Sequence, residues 1–154
     1  MKITLPLLFI FSLSIPQNDV CFEIQANPNP NNSALSCFSK YVNVLDCFNI
    51  YAESSISDEK VLHVAAIAAE LLDNDEDGIV DDNSILETLQ SEQALMPIFT
   101  SDGNACMDQF ENNYNGDGVS AVLWRNEIDP NNPGHWGDDA TVEEVLHTIN
   151  HVGH

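Results

Sequence analysis

The acidic segment of residues 73–82, Asp-Asn-Asp-Glu-Asp-Gly-Ile-Val-Asp-Asp, constrains the fold more than any other part of the chain. Its carboxylates stand at loop positions 1, 3, 5 and 9, and a glycine stands at position 6, where a calcium-binding loop turns sharply. Ca²⁺ takes about six to eight oxygens at about 2.3–2.6 Å. A solvated acidic turn has a similar composition, but the alternation and the register of the glycine favour calcium. The predicted ligands are Asp73, Asp75, Asp77, Ile79, Asp81, Ser84 and Glu87.

The end of this loop departs from the EF-hand pattern. Position 12, where an EF-hand places a bidentate glutamate, is Ser84. Glu87, one helical turn further on, or a water molecule would have to complete the ligand set, so we expect weaker calcium binding than in a cytosolic sensor. The loop also resembles the D-x-D-x-D-G-x-x-D repeats of dockerins and thrombospondin type 3 arrays. Those repeats occur in tandem, whereas residues 115–118 repeat the pattern only faintly and are interpreted as a turn.

Length and charge define the class of protein. The chain has 154 residues, enough for one domain. Residues 1–16 have one basic residue and a short apolar run, which predicts a secretory signal peptide and a secreted protein outside the membrane. Residues 17–33 form an Asn/Pro-rich arm, and residues 34–154 are expected to form one helical calcium-binding domain. The 25 acidic residues against four basic ones disfavour nucleic acid as a partner. We expect an extracellular protein or a glycan as the partner.

Four cysteines in an exported chain predict two disulfides. They are Cys21, Cys37, Cys47 and Cys106. Cys37 and Cys47 lie on one predicted helix, about 15 Å apart, whereas a disulfide requires Cα atoms within about 7 Å. Each of the two is therefore expected to pair with Cys21 or Cys106, and both pairings remain open.

The apolar pattern predicts a mainly α fold with a minor β element, built on a helix–calcium loop–helix core and stapled by disulfides. Helices are predicted over residues 34–53, 58–72 and 141–152, and a further helix begins at Ser84 and runs to about residue 95, with Pro97 ending it. Residues 119–124 have β-type composition and are predicted to pair near residues 98–99.

The last predicted helix carries a second candidate metal site. His147 and His151 stand at i and i+4, a spacing that allows two imidazoles to bind one Zn²⁺. With His63 as a further ligand and Glu143 or Glu144 activating a water molecule, the alternative function is a zinc-dependent, peptidase-like hydrolase or its remnant. The segment H-T-I-N-H lacks the glutamate that follows the first histidine in H-E-x-x-H enzymes, and a solvated polar helix face explains the same residues.

Three blocks of the sequence resemble a group of secreted proteins without assigned function, from marine microbes and invertebrates. The blocks are residues 60–63 (KVLH), 72–78 (LDNDEDG) and 139–147 (DATVEEVLH). Members of the group look longer, so the resemblance implies that this chain is a fragment or a shortened paralogue. It implies no activity. The leading hypothesis is therefore a secreted calcium-binding domain with a structural or binding role.

Overall fold

The computed structural model describes residues 22–134 and 139–154. The predicted signal peptide and Cys21 lie outside the described residues. The strands are β1 (Gln25–Ala26), β2 (Lys40–Val44), β3 (Phe48–Ala52), β4 (Leu95–Phe99) and β5 (Leu123–Trp124). The helices are α1 (Asp58–Leu72), α2 (Asn83–Ser91), α3 (Ala105–Asn113) and α4 (Thr141–Val152), with a short 3-10 helix at Arg125–Glu127.

The strands form one mixed sheet in the order β1-β2-β3-β4-β5. The first three strands are antiparallel, and β3, β4 and β5 run parallel to one another. Parallel neighbours need a crossover connection. The connection from β3 to β4 contains α1 and α2, and the connection from β4 to β5 contains α3. This is an α/β fold, so the prediction of a mainly α protein is wrong.

The largest error concerns residues 34–53, which contain a β-hairpin over residues 40–52 and no helix. Alternate residues of β2 and β3, such as Val42, Val44 and Ile50, are completely or almost completely buried on one face of the sheet. The turn between the strands places Leu45 and Asp46 at φ of 47° and 57°. A left-handed backbone of this kind is incompatible with a continuous helix. The two-residue period of the strands therefore overrides the helical spacing of the apolar residues.

Helices cover both faces of the sheet. On one face α1, α2 and α4 enclose the larger core, in which Phe48, Ile98 and Val61 have no exposed surface. On the other face α3 packs through Phe110 against Phe99, with ring centroids 5.9 Å apart. Two opposed layers are needed because a sheet with parallel strands is apolar on both sides.

One of the two predicted disulfides is present among the described residues. Cys37 bonds to Cys106, with 5.4 Å between the Cα atoms, and joins the segment before β2 to α3. This confirms one of the allowed pairings. Among the described residues Cys47 is a free thiol, buried at the end of the β-hairpin turn, and its other predicted partner, Cys21, lies outside them. The Cys47 sulfur lies in the larger core, where apolar side chains surround it and the carbonyl oxygen of Val44 accepts its weak hydrogen bond.

The helices on either side of the acidic segment are only partly as predicted. Helix α1 has the predicted bounds. Helix α2 begins at Asn83 because Asp82 caps it, accepting the backbone N–H of Ser84 at 2.8 Å. It ends at Ser91, and the following segment forms β4 with Pro97 inside it, so the predicted helix to residue 95 is wrong. No helix among the described residues is long and apolar enough to cross a membrane.

Candidate metal centre

The acidic loop joins α1 to α2, as the sequence predicts, and its two ends are fixed to each other. The backbone N–H of Asp73 continues the ladder of α1 by donating to Ala69 at 2.8 Å. The backbone N–H of Asp81 donates to the carbonyl oxygen of Leu72 at 2.9 Å. Val80 is buried in the larger core between these contacts. The loop is therefore a closed turn anchored by a helix end and an apolar side chain.

Asp73 organises the inside of the loop. Its two carboxylate oxygens accept the backbone N–H groups of Asp77 at 3.1 Å and Gly78 at 2.7 Å. Gly78 adopts a φ of +86°, a conformation that glycine enters without steric cost. A carboxylate has about four acceptor sites, so Asp73 retains capacity for a cation after accepting both hydrogen bonds.

Three carboxylates of the loop converge. One oxygen each from Asp73, Asp75 and Asp81 lies within 4.8 Å of the other two. Oxygens that bind a single Ca²⁺ at about 2.3–2.6 Å are at most about 5 Å apart. Within residues 22–134 and 139–154 this is the one group of three or more acidic, histidine or cysteine side chains placed to hold a metal ion. The cluster therefore has the size of a cation site.

The structure does not bring every predicted ligand into this cluster. The carboxylate of Asp77 accepts the backbone N–H of Ile79 at 2.9 Å and is not a member. Ile79 exposes 63% of its surface. Ser84 and Glu87 are exposed on α2, and Glu87 does not belong to the cluster. The converging carboxylates are thus those of positions 1, 3 and 9 of the predicted loop.

Repulsion between carboxylates dominates the electrostatics of the loop. The negative charge of Asp77 is the main cause of a raised pKa at Asp75, with desolvation and Asp81 adding to it. Asp81 has a lowered pKa because the side chain and backbone N–H groups of Asn74 both donate to it at 3.0 Å. The salt bridges of the described residues, Lys40–Asp58 and His63–Asp139, leave the loop without a basic partner. A bound cation would relieve this repulsion.

The histidines of the predicted zinc site are in different surroundings. His147 and His151 are exposed on α4. His63, on α1, contacts Asp139, with 3.0 Å between Nε2 and Oδ2. In the part of the chain that the structure describes, none of the three belongs to a group of metal-ligating side chains. The zinc site stays a prediction based on the spacing of His147 and His151.

The two glutamates of the alternative catalytic role lie in the first turn of α4. Glu143 is exposed, and Glu144 is partly buried. Burial is the main cause of a raised pKa at Glu144, and Glu143 adds to it while His147 opposes it. A raised pKa is compatible with proton transfer, but neither carboxylate belongs to a metal cluster among the described residues.

Sequence reasoning missed the buried polar network around Asp139. Its side chain has no exposed surface and accepts from the Thr141 hydroxyl at 2.6 Å and from the backbone N–H of Gly134 at 2.9 Å, in addition to its contact with His63. Burial raises the pKa of this carboxyl, but these hydrogen bonds outweigh burial and hold the pKa at about 2. The partner of His63 was not recognisable because 76 residues separate the two.

No protein-family model matches the chain, and comparisons with curated proteins and with solved structures found no significant similarity. The functional conclusion therefore rests on the chemistry of the side chains and on their placement in the fold.

Proposed function

We propose that the loop of residues 73–82 binds one calcium ion and that the protein is a secreted domain with a structural or binding role. The observation that supports this proposal is the convergence of Asp73, Asp75 and Asp81 within 4.8 Å. All three ligands are hard carboxylate oxygens, the donors that Ca²⁺ and Mg²⁺ prefer, and no imidazole or thiolate of the described residues joins them. Ca²⁺ is favoured over Mg²⁺ because it accepts irregular ligand geometry supplied by a loop.

The position of the loop gives the ion a structural role. The loop connects the end of α1 to the cap of α2, and both helices pack on the larger core. An ion that binds the folded loop and not the unfolded chain stabilises the folded state. Because a bidentate glutamate is missing at position 12, we expect a Kd of about 10⁻⁴–10⁻³ M, in the range of extracellular modules.

Secretion is supported by two features. The Cys37–Cys106 disulfide is typical of oxidising compartments. Residues 1–16 have the pattern of a signal peptide. Extracellular calcium at millimolar concentration would occupy a site of the proposed affinity, whereas cytosolic calcium would leave it empty. An extracellular protein or a glycan remains the proposed class of partner.

The first test is elemental analysis of the purified protein, followed by thermal unfolding with Ca²⁺, Mg²⁺ and Zn²⁺ after removal of bound metal. At about 10 mM Ca²⁺, a Kd of about 10⁻⁴–10⁻³ M adds about 1.4–2.7 kcal/mol to the free energy of unfolding. For a chain of this size, that free energy raises Tm by about 3–10 °C. The effect of Zn²⁺ on the same melts tests the alternative site on α4.

Asp75→Asn separates calcium binding from a structural role of the same carboxylate. Asp75 is exposed and is repelled by its acidic neighbours, so without calcium this variant should be as stable as the parent or slightly more stable. With calcium, its gain in Tm should be smaller, because a charged ligand is lost. Asp117→Asn removes the same charge from an exposed turn outside the cluster and should keep the full gain.

Two results would refute the proposal. One is a Tm that does not respond to millimolar Ca²⁺. The other is an equal calcium response in the parent and in Asp75→Asn, because the ion would then act elsewhere on the acidic surface. A stoichiometric zinc content that disappears in His147→Ala would instead favour the alternative metal site on α4.

A further inference from the structure

A cavity of about 360 Å³ opens beside the β-hairpin, over the part of the sheet that α3 leaves uncovered, and extends to the C-terminal part of α2. All three tyrosines of the chain line it, together with four asparagines and two glutamines. Its volume falls at the lower end of the range of about 300–1,000 Å³ for small-molecule sites. The lining is therefore built mainly from amide and phenol groups.

The floor of the cavity is formed by two cross-strand pairs. Tyr41 lies opposite Tyr51, and Asn43 lies opposite Asn49. These four side chains share one face of the hairpin, and the residues that alternate with them point from the other face into the larger core. The two tyrosine rings are 5.1 Å apart between centroids. The two strands thus present an aromatic pair beside an amide pair. The pairs are two residues apart along each strand because the side chains of a strand alternate between its faces.

Hydrogen bonds hold this floor in one arrangement. The Tyr41 hydroxyl donates to the Asn49 side chain at 2.7 Å, and the Asn43 amide donates to the same oxygen at 3.1 Å. The Asn49 amide donates to the backbone oxygen of Ala94 at 3.0 Å. At the rim, Asn29 donates to the Tyr51 hydroxyl at 2.8 Å. Groups fixed in this way bind a ligand with little further loss of conformational entropy.

The charge of the lining excludes an anionic ligand. Among the described residues, Asp46 is the one carboxylate of the lining, which contains no lysine, arginine or histidine. Burial raises the pKa of Tyr51 and of Tyr114, so both remain neutral phenols at neutral pH. The net charge of −21 adds to the repulsion of anions.

We propose that this cavity is a binding site for a neutral saccharide of about one or two rings. Amide side chains supply a donor and an acceptor side by side, which matches adjacent sugar hydroxyls. Tyrosine rings supply an apolar face for the C–H surface of a sugar and a hydroxyl for its rim. The cavity contacts the C-terminal part of α2 through Leu89 and Gln90, whereas the proposed calcium loop precedes the start of α2. The two sites share no residue, so saccharide binding does not depend on the proposed calcium site, although it rests on the proposed function in naming a glycan as the partner.

The experiment is an NMR titration of the full protein, made in a bacterial host, with its tyrosine rings labelled. The probes are glucose, galactose, mannose, N-acetylglucosamine, maltose and cellobiose, each taken to about 50 mM, which detects a Kd of about 10 mM or tighter. Because the three tyrosines all line the cavity, at least one ring signal should shift and saturate with one of these sugars. Repeating the titration with a calcium chelator shows whether the proposed calcium site affects the result.

Two variants of α2 locate the binding. Gln90→Trp places an indole at the exposed rim of the cavity and should weaken saccharide binding by about tenfold or more. Ser91→Trp adds the same side chain at the next exposed position, which does not line the cavity, and should leave the affinity within about twofold. Thermal unfolding of both variants confirms that they fold.

The chain itself offers a second source of saccharide. Residues 31–33, Asn-Asn-Ser, form a glycosylation sequon, and Asn32 lines the cavity. If protein from a eukaryotic host binds added sugar only after Asn31→Gln, the natural occupant is the chain's own glycan, and the site is confirmed. If no sugar shifts a tyrosine signal, if Gln90→Trp binds as tightly as the parent, or if choline binds more tightly than every sugar, the proposal is wrong.

Discussion

Asp139 gives the sharpest prediction of stability, because its carboxylate is buried and yet ionised. Hydrogen bonds from Thr141, Gly134 and His63 overcome burial and hold its pKa at about 2, against an ordinary value of 3.8. At about 1.4 kcal/mol for each pH unit, this difference corresponds to about 2 kcal/mol of folding free energy. Because the folded pKa is the lower one, the contribution is complete above about pH 5 and is lost as the pH falls from about 4 to about 2.

The perturbation is Asp139→Asn, and the assay is urea unfolding of parent and variant between pH 7 and pH 2 with a calcium chelator present. At pH 7 the variant should lose at least about 2 kcal/mol, because the Thr141 hydroxyl and His63 lose a charged acceptor. Between pH 5 and pH 2 the difference between the two proteins should shrink by about 2 kcal/mol. Taking this difference cancels the titration of the many other carboxyl groups.

The control is Asp58→Asn. Asp58 forms a salt bridge with Lys40 at 2.6 Å, but 70% of its side chain is exposed. Exposed ion pairs contribute less than about 1 kcal/mol, so this variant should be close to the parent at every pH. A pH-independent difference for Asp139→Asn, or a loss at pH 7 no larger than that of the control, would contradict the assignment of the low pKa to the buried network.

Two further predictions concern the cysteines. The Cys37–Cys106 disulfide spans 69 residues, and loop-closure entropy for that length predicts a loss of about 4 kcal/mol in the free energy of unfolding when both are changed to serine. Urea unfolding checks this value, and a loss under about 1 kcal/mol would contradict it. Burial, with the charge of Asp46 second, raises the pKa of Cys47 to about 11. Iodoacetamide at pH 8 should therefore label Cys47 only after unfolding, as peptide mass spectrometry would show, and rapid labelling of the folded protein would contradict its burial.

The sequence predicts those elements whose signal is local. Helices α1 and α4 have the predicted bounds because each carries one apolar stripe with a three-to-four-residue period. Strand β5 covers only the last two of the predicted residues 119–124, but it pairs where predicted, with Leu123 opposite Ile98 and Trp124 opposite Phe99. The acidic loop is local as well, and its carboxylates at positions 1, 3 and 9 converge as a candidate metal site.

The central hairpin was mispredicted because apolar and aromatic residues from its two faces and its turn fall by coincidence at helical spacing. Val42 and Ile50 pack against the helices of one layer, while Tyr51 packs in the other layer with Phe38. Leu45, in the turn, continues the three-residue spacing from Val42 to Phe48 although it belongs to neither strand. The alternation of valine with tyrosine and asparagine in residues 41–44 was the signal for a strand.

Strand β4 was missed because it is buried throughout, and helix α3 was missed because too little of it is buried. All five residues of β4 are buried, so the strand has no alternation, and Pro97 within it is typical of the end of a helix. Helix α3 buries only Cys106 and Phe110, so its apolar stripe is too short to be distinguished from a turn. Its local signal is Asn104, which caps the helix by accepting the N–H of Met107 at 2.9 Å.

The features that hold the fold together are distributed so that each secures a different connection. The disulfide joins the segment before β2 to α3, Asp139 joins the start of α4 to α1 through His63, and the acidic loop joins α1 to α2. The disulfide requires oxidation, the Asp139 network requires a pH above about 4, and the proposed calcium site requires millimolar calcium. For a chain with a net charge of −21, whose self-repulsion opposes compaction, these three conditions occur together outside the cell. Removing any two of them should therefore destabilise the protein by the sum of the separate effects, because the connections share no residue.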